Sequence, residues 1–424
     1  MVAITGDHRG APLADSVAET LSELAAIGQS PRGGVTRVAW SDDLFRAYAW
    51  IGERMHELGL DVEIDAAGNL VGRWNVGSGK AVAIGSHLDT VPSGGQLDGA
   101  FGVVGALHAV SLLRAEGFTP SRPLWVIAFM DEEGTRFNTA LFGSHAFTGG
   151  AVSDFADRVD TAGTTLRDAM ARAGHDVDCT RDAKRIDQLA AFLEMHIEQG
   201  PLLEAEDLDI GVVTSIVGLR GYRVHLHGEA NHAGTTPMRL RRDALAGAAR
   251  IALQLREFAR SRSDVTANVG KIAVEPAGAN VVPGLADFTI DVRAASPAAV
   301  EELAQFVEGT VAEIAGEEQL EFDLATTFSL DPLELDSDMV DAIERAAVAE
   351  GARWRRMPSG AGHDAMLVGR HVPTGMIFVP SRGGISHSPE EYTSPAQLEL
   401  GTRVLAAAPR DLLRQGGDAC TLLE

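Results

Sequence analysis

Hydrophobic positions in the first part of the chain follow two patterns, one with helical spacing and one continuous. Helical spacing appears at Leu44, Ala47, Ile51, Met55 and Leu58, with Ser41 before them as a candidate N-cap. Short apolar runs closed by polar residues follow at 81–85, 124–130, 191–195 and 376–379, with helical stretches such as 100–116 between them. Such runs are typical of buried strands. The alternation predicts an α/β fold with a mostly parallel sheet and helices on both faces.

The stretch from residue 211 to 327 has a different pattern. Alternating residues at 222–227 precede helical spacing at 245–259, two strand-like runs at 267–274 and 286–294, a second helix, and a last strand at 320–324. Ser296 and Pro297 mark the start of that second helix. The order β-α-β-β-α-β is ferredoxin-like. We predict that 211–327 is an α+β domain inserted into a discontinuous domain of residues 1–210 and 328–424. Its sheet would have one face or edge free to pair with a second subunit.

Composition narrows the class of protein. Of 424 residues, 36 are Lys or Arg and 60 are Asp or Glu, so the formal net charge is −24. This acidic balance argues against a nucleic-acid or anionic-membrane partner, which needs clustered basic residues. The two cysteines, Cys179 and Cys420, are too few for a disulfide framework. The first residues show no secretory signal pattern, and no apolar run approaches the length of a membrane span. We therefore expect a cytoplasmic protein.

Side chains that can bind metal ions follow the predicted strands. His87 and Asp89 follow the first run, Glu132 and Glu133 the second, His196 the third and His387 the fourth, while Asp98 opens a helix. Because functional groups collect at the carboxyl ends of parallel strands, imidazoles and carboxylates there form a candidate site for two divalent metals. Asp89 would hold the ring of His87. Taken singly, each residue has an ordinary alternative: a structural histidine, a solvated turn or a helix cap.

Six runs, in order over about residues 40–410, resemble the two-metal amidohydrolases that cleave ureido groups. They are GSHLDTVPSGGQLDGAFGV (85–103), DEEGTRF (131–137), HIEQGPLLE (196–204), GEANHAGTTPMRLRRDAL (228–245), SGAGHDA (359–365) and GGISHSPEE (383–391). That family includes N-carbamoyl-L-amino-acid hydrolase, allantoate amidohydrolase and β-ureidopropionase, and is related to dinuclear aminopeptidases and carboxypeptidases. In those peptidases an acidic residue usually takes the place of His196. The histidine therefore directs the resemblance to the ureido-cleaving branch.

The resemblance implies a role for each residue of the strand-end cluster. His87 and His196 would hold one ion, Glu133 and His387 the other, and Asp98 would bridge them. The ions would be Zn, Mn, Co or Ni. Glu132 would be the general base, an assignment that rests on the resemblance because spacing alone does not separate it from Glu133.

The resemblance also implies groups that bind the substrate. His232 would stabilise the developing oxyanion in the site of the other subunit of a homodimer, and Asn280 and Arg293 would grip a carboxylate. Gln199 would bind the ureido group, and Gly360 and Gly384 would line the pocket with backbone. The inserted domain would close over the substrate as a lid. His363 and Asp364 match a family segment without an assigned role.

Together these observations predict a hydrolase that releases an amino acid, CO2 and ammonia from an N-carbamoyl-L-amino acid. Allantoate is a nearly equal alternative, and a dinuclear aminoacylase or dipeptidase is a more distant one. A metal-free binding protein of the same fold is disfavoured because all five candidate ligands and Glu132 are present. The chain has no GxSxG nucleophile elbow, no phosphate-binding loop and no GxGxxG fingerprint.

Overall fold

A computed structural model describes residue 13 and residues 15–415, which form two compact units. The first contains the described residues up to Thr214, then Leu335–Met357, and those from His363 onward. The second contains Ser215–Glu334 and Pro358–Gly362. These bounds differ from the predicted 211–327, and the short segment 358–362 is added to the second unit. Cys420 and the N-terminal segment considered for a secretory signal lie outside the described residues, except Leu13 and Asp15.

The secondary structure of the described residues alternates between strands and helices. The strands are β1 (Asp61–Ile64), β2 (Leu70–Trp74), β3 (Ala81–His87), β4 (Leu124–Phe129), β5 (Leu189–Ile197), β6 (Ile210–Ile216), β7 (Gly218–His227), β8 (Asn231–His232), β9 (Val265–Glu275), β10 (Val281–Val282), β11 (Leu285–Ala294), β12 (Glu321–Leu330), β13 (Leu333–Glu334), β14 (Trp354–Ser359) and β15 (Thr374–Val379). The α-helices are α1 (Val17–Ala25), α2 (Asp42–Glu57), α3 (Ala100–Ala115), α4 (Phe142–Thr148), α5 (Leu166–Arg172), α6 (Leu202–Ala205), α7 (Ala244–Arg260), α8 (Pro297–Glu317), α9 (Ser337–Ala349), α10 (Ala365–Val368), α11 (Pro395–Ala407) and α12 (Arg410–Arg414).

The sheet of the first unit has a parallel centre. Its strand order is β1-β2-β4-β3-β5-β15-β6. The four strands β4, β3, β5 and β15 pair in parallel, while β2 joins β4 and β6 joins β15 in antiparallel fashion. The prediction of an α/β fold with a mostly parallel sheet is confirmed, and the antiparallel flanking strands are an addition to it.

Complete burial of the central strands shows that both faces of this sheet are covered. All seven residues of β3 and all six of β4 are buried. Because successive side chains of a strand point to opposite faces, burial at every position requires cover on both sides. The helices that pack on the four parallel strands fall into two groups, α3 and α9 with α11, and α10 with α4.

Two helix starts that the sequence predicts are present. The Ser41 hydroxyl accepts the N–H of Leu44 at the start of α2. The Ser296 hydroxyl accepts the N–H of Ala299, and Pro297 is the first residue of α8. In the described part of the chain, no helix combines the length and the hydropathy that crossing a bilayer requires.

The second unit contains a four-stranded antiparallel sheet with two helices. Its strand order is β12-β7-β11-β9, and the chain visits β7, α7, β9, β11, α8 and β12 in turn, which is the predicted ferredoxin-like order. Burial alternates along β11, and its buried residues pack with α7 and α8. The last strand continues to Leu330, beyond the predicted 320–324. The roles of this unit as a lid and in dimerisation stay predictions.

Candidate metal centre

The five candidate ligands of the first unit come together at one edge of its sheet. His87 ends β3, His196 is the penultimate residue of β5, and His387 lies in the loop after β15. Asp98 precedes Gly99, the N-cap of α3, and Glu133 follows β4. They form two groups, His87–Asp98–His196 and Asp98–Glu133–His387, and within each group the ligand atoms lie within 4.8 Å of one another. Asp98 belongs to both groups.

The two oxygens of Asp98 face the two groups separately. Oδ1 is 3.1 Å from His196 Nε2 and 3.6 Å from His87 Nε2. Oδ2 is 3.2 Å from His387 Nε2, which lies 3.5 Å from Glu133 Oε1. One carboxylate is therefore placed so that each of its oxygens can contribute to a different metal position.

Backbone carbonyls set the orientation of the two buried imidazoles. His87 Nδ1 is 3.0 Å from the carbonyl oxygen of Asp89, and His196 Nδ1 is 2.9 Å from that of Ile197. A carbonyl can only accept, so Nδ1 carries a proton in each ring and Nε2 is the nitrogen left for a metal ion. The N–H of Gly99 also points at His196 Nε2, at 3.2 Å, which agrees with this assignment. Both rings are thus prepared to bind a cation through Nε2.

Asp89 has a wider role than the sequence predicts. Its carboxylate is 3.6 Å from His87 Nδ1, farther than its own carbonyl oxygen. The carboxylate oxygens instead accept the backbone N–H groups of Glu132 and Glu133, at 3.2 and 3.1 Å. Asp89 therefore fixes the backbone of both glutamates as well as the ring of His87.

Glu132 and Glu133 reach different parts of the cluster. The chain bends after β4, with Asp131 at a φ of 56°, so the segment that carries the two glutamates is not extended. Glu132 Oε2 lies 3.8 Å from His87 Nε2, whereas Glu133 points to His387. One glutamate is thus placed among the ligands of the second group, and its neighbour lies beside the first.

The electrostatics of the cluster show a shortage of positive charge. Burial raises the pKa of Glu132 well above its usual range and that of Glu133 to about 7. The hydrogen bond to Asp98 raises the pKa of His387 to about 9. Glu133 Oε1 is buried and has no hydrogen-bond partner among the described residues. Divalent cations would satisfy these groups, and imidazole with carboxylate suits Zn, Mn, Co or Ni. The residues present fit a metal centre.

Two of the predicted substrate-binding residues lie beside this cluster. Gln199 donates its side-chain amide to Asp98 Oδ2 at 2.8 Å, and its backbone N–H binds the Ser381 hydroxyl at 3.0 Å. Gly384, at a φ of 67°, lies against the backbone of Gly200 and Pro201, where an added Cβ would be 2.8 Å from Pro201 N. A side chain at Gly384 is therefore excluded both by its backbone conformation and by the adjacent chain.

The other predicted substrate-binding residues belong to the second unit, where His232 lies near Asn280 and Arg293 lies near Gly360. The short strands β8 and β10 pair His232 with Val281, the residue after Asn280, and the Ala233 N–H donates to the carbonyl of Asn280 at 2.9 Å. Arg293 donates to the carbonyl of Gly360 at 2.8 Å and to Asp291 at 3.1 Å. The exposed His232 ring accepts two backbone N–H groups at Nδ1, so its Nε2 is left as the donor.

Several buried polar residues of the first unit have no role in the sequence prediction. Glu194, inside the apolar run of β5, accepts the Ser86 hydroxyl and the Ala365 N–H at 2.7 and 2.8 Å. The His363 ring lies 4.6 Å from that of His196, and Glu391 accepts backbone N–H groups near Asp98. A charged residue within an apolar run was the available signal for Glu194. Glu391 and His363 lie in the motif runs, but residue type alone gives them no function.

Comparison of the sequence with known proteins identifies the family of this chain and two of its relatives. The profile of peptidase family M20/M25/M40 matches residues 83–411. The chain is 39% identical over 399 residues to an N-carbamoyl-L-amino-acid amidohydrolase of Paenarthrobacter aurescens, covering 93% of this chain and 96% of that protein. It is 38% identical over 395 residues to an allantoate amidohydrolase of Bacillus subtilis, covering 92% and 96%.

A solved structure agrees with these sequence relatives. The crystal structure of an amidase of the hydantoinase/carbamoylase family from Burkholderia multivorans superposes with a TM-score of 0.85. It is 36% identical in sequence, and the match covers 94% of this chain and 98% of that one. The similarity therefore extends over nearly the whole length of both chains.

Proposed function

Since the chain belongs to peptidase family M20/M25/M40, as an amidohydrolase of carbon–nitrogen bonds other than peptide bonds, we propose that it cleaves a ureido group. The proposed substrate is an N-carbamoyl-L-amino acid. With one water, its R–NH–CO–NH2 group gives R–NH2, CO2 and NH3. The observation that carries this proposal is that the two carboxylate oxygens of Asp98 face two separate ligand groups. His196, at the position where the related peptidases carry an acid, favours ureido cleavage over peptide cleavage.

The residues of the first unit divide the chemistry among them. His87, His196, Glu133, His387 and Asp98 would hold two divalent ions, which supply polarisation of the substrate carbonyl and a lower pKa of the attacking water. Glu132 would take the proton of that water and return it to the leaving nitrogen. Burial raises the pKa of this carboxylate, which favours its taking up a proton. Asp89 keeps the backbone of Glu132 in place.

The second unit would supply groups for the rest of the substrate. Arg293 and Asn280 would bind the carboxylate, and His232 would donate Nε2–H to the developing oxyanion. In the first unit, Gln199 would bind the ureido group, and Gly384, together with Gly360 of the second unit, would line the pocket with backbone. We propose that the protein is a homodimer in which His232 serves the site of the partner subunit.

Allantoate is an equally supported substrate, because the two relatives that act on it and on N-carbamoyl-L-amino acids are nearly equal in identity and coverage. Ammonia release by the Mn²⁺-reconstituted protein separates the alternatives. The assay compares several N-carbamoyl-L-amino acids, allantoate and N-acetyl-L-amino acids, the last followed through the freed amine. We expect turnover of one ureido substrate. Turnover of acetyl amino acids alone would replace the proposal with an aminoacylase.

A further inference from the structure

Glu391 is a buried carboxylate that joins two loops of the candidate metal centre. It is 5% exposed and lies four residues beyond His387, in the loop that follows β15. Its Oε1 accepts the backbone N–H groups of Leu97 and Asp98, at 2.8 and 3.0 Å. Those two residues lie in the loop between β3 and α3. Because β5 separates β3 from β15 in the sheet, strand pairing does not hold these loops together, and Glu391 does.

A serine provides a second connection between Glu391 and Asp98. The Ser386 hydroxyl is 3.0 Å from Glu391 Oε2 and 3.0 Å from Asp98 Oδ2. It has one proton, so it donates to one carboxylate at a time and can change partner when a cation binds Asp98. Glu391 therefore acts on Asp98 at its backbone directly and at its side chain through Ser386.

The absence of a side chain at Gly95 provides the space that the Glu391 carboxylate occupies. A Cβ added at Gly95 would lie 2.0 Å from Glu391 Oε1 and 2.6 Å from Glu391 Cβ. The φ of Gly95 is not in the left-handed region, so its backbone conformation does not require glycine. The obstacle to a side chain at this position is Glu391 itself.

We propose that Glu391 is a positioning residue that clamps Asp98 to the loop of His387 and so sets the metal affinity of the paired site. The inference rests on the proposed function, because it takes the cluster to bind two divalent ions. Residues that hold a metal ligand in place typically contribute about 10–100-fold to metal affinity. Glu391 holds the one ligand that both groups share, so its loss should weaken both positions.

The test measures Mn²⁺ binding by competition with a chromophoric chelator. Glu391→Ala should weaken Mn²⁺ binding by about 10–100-fold. Glu391→Gln should lose less, because its amide oxygen can still accept both N–H groups. Glu390→Gln is the matched control, since Glu390 is the exposed neighbour in the same loop and its change removes the same charge. It should bind Mn²⁺ as the wild type does.

Gly95→Ala gives an independent test, because it keeps the carboxylate and displaces it. It should weaken Mn²⁺ binding like Glu391→Ala, and excess Mn²⁺ should restore much of the turnover number of Glu391→Gln. If Glu391→Ala does not fold, Glu391→Gln and Gly95→Ala carry the test. Wild-type Mn²⁺ dissociation constants in the folded variants of Glu391 and Gly95 would overturn the inference alone. A wild-type chain that binds no divalent ion would overturn the proposed function as well.

Discussion

Asp98 is the residue on which the candidate metal centre depends. Its carboxylate receives contacts from three imidazoles, the amide of Gln199 and the hydroxyl of Ser386. Four residues of the cluster are held by groups that are not ligands themselves: backbone carbonyls hold His87 and His196, and Asp89 holds the backbone of the two glutamates. Such support keeps ligands in place before a cation arrives, which reduces the cost of ordering them when it binds.

Exchange of Glu132 for Gln separates catalysis from metal binding. Glu132→Gln should keep the metal content of the wild type and lose about 10²–10⁴-fold in turnover number, because the amide cannot take a proton from water. Glu133→Gln is the matched variant, and it should lose metal instead because Glu133 lies in a ligand group. Metal analysis and steady-state rates on the same preparations check both. A near-normal rate in Glu132→Gln would reassign the base.

At the residue scale, the sequence identified side chains by type and by their place after strands. That was enough to find the three histidines and the glutamate pair, because parallel strands bring their carboxyl ends to one edge. The choice of Glu133 as the ligand and of Asp98 as the shared ligand rested on the family resemblance. It was not enough for Glu391, whose function is a pair of contacts to backbone N–H groups 294 and 293 residues away in the chain. Nor did it show that the carboxylate of Asp89 binds the amides of two glutamates. Contacts between a side chain and distant backbone N–H groups depend on the folded backbone, and no sequence motif marks them.

At the scale of elements, packing between α1 and α3 includes a buried histidine. His108 of α3 lies 2.9 Å from the Thr20 hydroxyl of α1. Burial lowers the pKa of His108 to about 4; the charge of Asp15 raises this pKa by a smaller amount, and the charge of Arg54 lowers it further. The folded state therefore favours neutral His108, while the unfolded chain takes up a proton at its ordinary pKa of about 6.5.

This difference predicts a loss of stability as the pH falls through about 6.5 toward 4. The loss from His108 should reach about 3 kcal/mol, since each pKa unit corresponds to about 1.4 kcal/mol. His108→Gln should remove this component from the pH dependence of urea unfolding in chelator-treated protein. His56→Gln, at an exposed position of α2, is the control and should leave the slope unchanged. Identical slopes for wild type and His108→Gln would contradict the prediction.

Helices and strands with a recognisable local sequence pattern were predicted, and those without such a pattern were not. Ser41 and Ser296 mark helix starts because their hydroxyls accept N–H groups three residues ahead. The strands β1, β2 and β6 were not predicted. The first two are short, at four and five residues, and all three lie outside the parallel centre, where the pairing partner decides whether a strand forms.

At the scale of the whole molecule, the order of strands and helices was the predictable feature. Continuous apolar runs predicted the parallel centre, and the change to alternating residues predicted a second, ferredoxin-like sheet. The unit bounds were less predictable, because residues 358–362 join the second unit from a distant part of the chain. Which copy of the chain supplies His232 to a site is likewise beyond any pattern in one sequence.

Mixing two inactive variants tests the proposed homodimer. His232→Ala and Glu132→Gln subunits should regain activity as heterodimers, because one of the two composite sites would then contain both wild-type residues. Heterodimers isolated by two affinity tags are assayed beside each parent homodimer. Absence of recovery in verified heterodimers would mean that His232 acts within its own subunit or has no part in the reaction.

The two-metal centre is tested by metal titration of chelator-treated protein, with ammonia release from its ureido substrate as the readout. We expect no release without metal, and a rise on addition of Mn²⁺ that reaches its plateau at two ions per chain, because Asp98 joins two ligand groups. Full ammonia release by protein shown to be free of metal would contradict it.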